Sequence, residues 1–162
     1  MGSMNACINE YTNQLRKGQI QKAYRGIMAF LSKLKNDMGN KYPEYVSSAL
    51  YSGYMDMSYF AFTPVELKQK NLKIAVVYLH EQNQFEAWLG ATNRKVQAEY
   101  IEKLSRLDIG DYKLSKVNPG IDSILELQIV EQPDFDQEEE LMKKIESRTI
   151  DFASDILSML KE

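Results

Sequence analysis

Two apolar-rich runs, Leu72–Leu79 and Gln84–Ala91, stand on either side of His80-Glu81-Gln82-Asn83 and predict a β-hairpin that feeds directly into a helix. An even-numbered loop pairs His80 with Phe85, Leu79 with Glu86, Tyr78 with Ala87 and Val77 with Trp88. That register sorts the faces. Ile74, Val76, Tyr78 and His80 lie with Phe85, Ala87 and Leu89, while Lys73, Val77 and Leu79 lie with Glu86 and Trp88.

Upstream, Ile8, Tyr11 and Leu15, then Ile20, Ala23, Tyr24, Ile27, Leu31, Leu34 and Met38, recur at three- and four-residue spacing, the amphipathic-helix period. Gly18 is the expected stop between two helices, and Gly39-Asn40 followed by Tyr42-Pro43 ends the second. Residues 54–62 predict a strand with apolar residues on both sides: Tyr54, Phe60 and Phe62 on one, Met55, Met57, Tyr59 and Ala61 on the other. Such a strand is expected to be central and covered on both faces, with Pro64 stopping it.

Beyond the hairpin, Thr92 or Asn93 is expected to cap a helix reaching about Leu107, with Val96, Tyr100, Leu104 and Leu107 on its buried stripe and Ile101 beside it. Residues 112–117 and 123–130 flank Asn118-Pro119-Gly120, a turn signal, and predict a second hairpin. Asp136 with Glu139 resembles a capping box for a long last helix whose inward positions are Leu141, Ile145, Thr149, Phe152, Ile156 and Leu160. The expected order is ααβββαββα. It describes a single α+β domain over residues 4–162, a mostly antiparallel five-stranded sheet packed with about four helices. Met1-Gly2-Ser3 reads as an expression remnant ahead of Met4.

Composition narrows the class without naming a reaction. A chain of 162 residues with 44% hydrophobic and 27% charged residues has enough apolar side chains for a core. Its lone cysteine, Cys7, can form neither an internal disulfide nor a CxxC metal motif, which points to a reducing cytoplasm. No apolar run is long enough to span a bilayer, so no membrane association is expected. A net charge of −3 argues against nucleic acid as a partner. The charge is nevertheless uneven: residues 11–36 carry six bases and no acid, while residues 131–140 carry six acids, as suits the start of a helix.

The run Tyr51 to Phe60, the strand Leu72 to Glu81 and the segment Phe85 to Leu89 leading into Arg94 through Tyr100 resemble an uncharacterised bacterial family, a domain of unknown function. The resemblance extends over nearly the whole chain from Met4, including the Asn-Pro-Gly turn and Pro133-Asp134-Phe135. It implies a prokaryotic cytoplasmic protein and carries no site residues with it.

Candidate chemistry therefore rests on individual side chains. Asp56 is out of place mid-strand and could anchor a ligand's cation or hydroxyl among aromatic rings. Glu86, beside Trp88, could have its ionisation perturbed in a poorly solvated cleft, or could pair with Lys73 or Arg94. The leading expectation is a ligand-binding or accessory module with a small-molecule pocket, and Tyr54, Asp56, Tyr59, Glu86 and Trp88 are the candidate ligand-binding residues. On the expected pleat these five do not all share one face. An alternative is a divergent metal-dependent nuclease-like hydrolase using Asp56 and Glu86. It sits poorly with Trp88 where a lysine is wanted, and with a preceding strand that has no acid. A third reading is a protein-interaction or oligomerisation module built on exposed aromatics, with monomer and homodimer both open. No metal set, cofactor motif or catalytic residue is assigned, and the reading leans away from an enzyme. His80 is the sole histidine, which leaves no zinc cluster and no choice of partners for a Ser-His-Asp set.

Overall fold

The computed structural model describes residues 2–161. Helices α1 (Met4–Lys17) and α2 (Gln19–Lys41) are followed by strands β1 (Tyr45–Ser47) and β2 (Met57–Pro64) and a single turn of helix, α3 (Val65–Lys68). Then come β3 (Leu72–Leu79), β4 (Gln84–Ala91), α4 (Arg94–Ser105), β5 (Lys113–Leu114), β6 (Ser123–Glu131) and α5 (Glu138–Met159). The sheet order is β1-β2-β3-β4-β6-β5, and every pairing is antiparallel.

The expected α+β class holds, with six strands and five helices among the described residues in place of five and about four. The additional elements are the ones too short to show a period. β1 is three residues held by backbone pairing to Phe62–Pro64 of β2, and α3 is one turn started at Pro64. Gly18 does separate the first two helices, at φ 80°, with its N–H bonded to the Leu15 carbonyl.

The core lies on one face of the sheet. Phe60 and Phe62 of β2, Ile74, Val76 and Tyr78 of β3, and Phe85, Ala87 and Leu89 of β4 form one buried cluster. Phe30, Leu31, Leu34 and Met38 of α2 join it, as do Leu141, Ile145, Phe152 and Ile156 of α5. All six expected inward positions of the last helix are buried. At about 1.5–3 kcal/mol for each large apolar side chain removed from water, this layer dominates the stability of the fold. The basic and acidic segments meet where Lys33 pairs with Glu138 at 2.7 Å, and beyond them Lys41 pairs with Glu146 at 2.9 Å, both tying α2 to α5. α1 contributes no buried residue and packs mainly along α2.

Five expectations are corrected. β2 is neither central nor covered on both sides: it lies next to the short edge strand β1, and its Met57, Tyr59 and Ala61 side is only partly buried. It begins at Met57, because Gly53 (φ 70°) and Met55 (φ 67°) take the left-handed conformation and turn the preceding segment. The hairpin pairs Tyr78 with Phe85 and Val77 with Glu86, two residues from the expected register. That slip preserves parity, so the side chains fall on the faces expected of them. Asp136 does not cap α5, whose N-cap is Gln137 without a side-chain bond. The Asp134 carboxylate instead accepts the Asp136 N–H at 3.0 Å. On α4 the buried stripe is Gln97, Ile101 and Leu104, while Leu107 lies beyond the helix and is exposed.

Candidate functional site

The uncovered face of the sheet is where polar groups gather. Reading across the strands, Ala61, Ala75, Trp88 and Glu126 form one row, and Tyr59, Val77, Glu86 and Gln128 form the next. Lys73, Gly90 and Ser123 form a third. Where large residues would normally stand, Ala75 and Gly90 leave the middle of β3 and β4 low. The result is a trough of about 460 Å³. Tyr51 and Tyr59, with ring centroids 5.1 Å apart, form one wall, and Trp88 forms the other. The start of α4 and the segment Asp122–Ser123 close the end near Lys73.

That end is built by Arg94. Its guanidinium donates to the carbonyls of Ile121 and Pro119 (2.8 Å for Pro119), to Asp122 Oδ1 at 2.9 Å and to Gln97 Oε1 at 2.9 Å. Gln97 in turn donates to the carbonyls of Ile121 and Ser123 at 2.9 and 3.1 Å, which explains why a glutamine is buried on α4. With these acceptors filled, Arg94 fixes the 118–122 turn against α4.

Trp88 and Glu86 act as a unit. The indole N–H donates to Glu86 Oε1 at 2.7 Å, and the Gln84 amide donates to Glu86 Oε2. Both carboxylate oxygens are therefore engaged, in neither of the expected ion pairs. Glu86 lies behind Trp88 as its support and does not line the trough.

At the other end, the Asp56 carboxylate accepts the Tyr54 N–H at 2.9 Å. Bonds from the backbone N–H groups of Tyr54 and Met57 hold its carboxyl below the usual range, so it is ionised at neutral pH. Asp56 lies in the turn ahead of β2, outside the pleat. It can therefore share the trough with Tyr59 and Trp88, which the expected strand did not allow. Tyr54, 90% exposed, points away from it. Of the five candidate residues, Asp56, Tyr59 and Trp88 come together, Glu86 supports them, and Tyr54 is dropped. Asp56 and Glu86 do not form a metal-binding pair, because each carboxylate is satisfied separately. No cluster of three or more potential metal ligands occurs among the described residues.

His80 meets a serine that the sequence did not suggest. Ser58, fully buried, lies 2.8 Å from His80 Nε2, but its hydroxyl proton goes to the Ser52 carbonyl at 2.5 Å. Nε2 therefore carries a proton and donates to Ser58, so the imidazole cannot take a proton from that oxygen. The Tyr24 ring stacks on His80 at 5.9 Å and Tyr78 meets it edge-on at 4.9 Å. The arrangement joins α2 to the hairpin and activates no nucleophile.

A second, larger concavity of about 780 Å³ runs along α2 beside Phe30, Tyr78 and Phe135. Two of its polar pairs are matched to each other, Tyr78 to Asn83 and Lys33 to Glu138, and its remaining polar lining residues, Gln19 and Lys22, are exposed on α2. In the trough, the Lys73 ammonium makes no hydrogen bond or ion pair among the described residues. Lys73 and Arg94 entered the sequence reading only as possible ion-pair partners of Glu86, and Gly90 was passed over. A glycine inside a strand was the one available signal, since it marks close approach or open space.

A family model described as a domain of unknown function, DUF7000, matches residues 4–160. No curated protein and no solved structure matches the chain.

Proposed function

We propose a ligand-binding role for this chain, which belongs to the domain of unknown function family DUF7000 and takes no assigned activity from it. The observation that carries the reading is the trough itself. A volume of about 460 Å³ suits a small metabolite, since small-molecule sites fall in the range of about 300–1,000 Å³. Ring walls with a few convergent polar groups are the usual lining of such a site. Nothing in it pairs a nucleophile with a base, which supports binding over catalysis. Cys7 is free and exposed, in keeping with a reducing compartment such as the cytoplasm.

A thermal-shift screen against a metabolite library tests the proposal, with Gly90→Val as the control. Valine suits a strand but fills the trough floor. The expected result is stabilisation by one or more compounds that disappears in the variant. A library that stabilises nothing, or stabilises both proteins alike, removes the reading.

Self-association is a second reading, supported by α1. Met4, Ile8 and Tyr11 are exposed, and with Leu15 they repeat at spacings of four, three and four, the seam along which two copies of a helix pair. Light scattering decides it: a dimer that Ile8→Glu converts to monomer supports it, and a monomeric parent protein retires it.

A further inference from the structure

We propose that the trough takes a small ligand in which a planar ring carries an anionic group, with the anion at Lys73 and the ring against Trp88. This deepens the binding reading above and rests on it.

The argument begins with four residues on adjacent strands. Lys73 pairs with Gly90 and Ala75 pairs with Trp88, so Lys73 and Trp88 stand diagonally across a square whose other two corners have almost no side chain. Diagonal neighbours on a sheet lie about 7–8 Å apart. That is the span of a single aromatic ring and a short acidic arm. The Lys73 stem runs over Gly90, where a Cβ would lie 3.7 Å from Lys73 Cε and 3.5 Å from the Asp122 carbonyl, so the ring's place is over Ala75 beside Trp88, with the Lys73 ammonium next to it.

Charge selects the anion. Arg94 is paired with Asp122, and its two terminal nitrogens also donate to Gln97 Oε1 and to the carbonyls of Ile121 and Pro119. Asp56 sits by the His80 end, where its carbonyl accepts the His80 N–H, seven residues along from Lys73. At about 3.3 Å per residue that separation is on the order of 20 Å, well beyond the screening length of about 8 Å at physiological salt. Lys73 is thus a cation at one end of a concave site without an ion-pair partner among the described residues, the nearby Asp122 carboxylate being engaged by Arg94. A ligand anion can supply one through charge-assisted hydrogen bonds.

Trp88 selects the ring. Its N–H is consumed by Glu86, so the indole offers no donor to a guest, only a π surface held in one orientation.

Trp88 is the chain's one tryptophan, so its fluorescence reports directly on the site. Phenylacetate, phenyl phosphate and the neutral phenylacetamide serve as probes at low salt. The expected result is that at least one anion binds about tenfold more tightly than the amide, and the tighter anion identifies the headgroup. The advantage disappears in Lys73→Gln and largely persists in Lys73→Arg; Lys73 is exposed, and circular dichroism checks that both variants fold. Equal binding of amide and anions, or an advantage that survives in Lys73→Gln, overturns the ligand class while leaving the trough as a binding site. Silence of Trp88 toward all three probes also overturns it. The broader reading fails only if the metabolite screen is blank as well.

Discussion

The indole N–H of Trp88 is held 2.7 Å from Glu86 Oε1, two residues back on the same face of β4. Glu86 is 8% exposed, so truncating it leaves a partly buried N–H without its acceptor. Glu86→Ala is expected to cost about 1–3 kcal/mol in urea unfolding and to broaden the orientation of the tryptophan, read as lowered fluorescence anisotropy. Glu86→Gln keeps an acceptor oxygen and should cost less. Equal losses for the two would show that the hydrogen bond does not hold the ring.

Arg94 pins the Asn-Pro-Gly turn through carbonyls more than through charge. Its ion pair with Asp122 is exposed, 54% and 74% for the two side chains, and exposed pairs contribute about 0–1 kcal/mol. Asp122→Asn should therefore be nearly silent. Arg94→Ala should speed hydrogen exchange at the Ile121 amide, which closes the turn onto Asn118 at 3.0 Å. Arg94→Lys should fail to restore protection, because one ammonium cannot reach the acceptors that the planar fork spans. An unchanged exchange rate in Arg94→Ala would refute the clamp.

His80 makes stability depend on pH. Burial disfavours its imidazolium and places its pKa below the ordinary 6.5, with the Asp56 charge pulling weakly the other way. The unfolded chain then takes up a proton at higher pH than the folded one. Stability is full above about pH 6.5 and falls as the pH drops through the folded value. Urea midpoints measured between about pH 7 and pH 5 should decline in the parent and decline less in His80→Gln. Parallel curves would assign the decline to other groups.

Gly53 and Gly110 both have positive φ, 70° and 62°, but their surroundings differ. A Cβ on Gly53 would lie 2.0 Å from the Met57 carbonyl oxygen and 3.0 Å from Asp56 Oδ1, whereas one on Gly110 meets nothing within 4 Å. Gly110→Ala should cost about 1–2 kcal/mol, the price of the left-handed conformation alone. Gly53→Ala should cost clearly more and loosen the turn that presents Asp56, seen as a larger fall in Tm. Matching melting temperatures would contradict the steric account.

Helices with a sustained period were legible before any coordinates. So was the face to which each residue of the hairpin belongs, because a two-residue slip leaves parity intact. Short elements were not: Tyr45–Ser47 became a strand only because the backbone of residues 62–64 lay beside it. The candidate site was half legible. Tyr59, Trp88 and Asp56 stood out as residue types, but the turn at Gly53 and Met55 that swings Asp56 out of the strand did not.

By itself, then, the sequence determined the α+β class, the hairpin faces and the inward stripe of the last helix, since these follow from local periodicity that any fold must bury. Tertiary structure alone decided which sheet face stays open, that Lys73 lines the trough without an ion-pair partner among the described residues, and that Ala75 and Gly90 stand diagonally across β3 and β4 as a hollow. Those properties depend on strand order and on contacts between segments distant in the chain, and no local pattern encodes them.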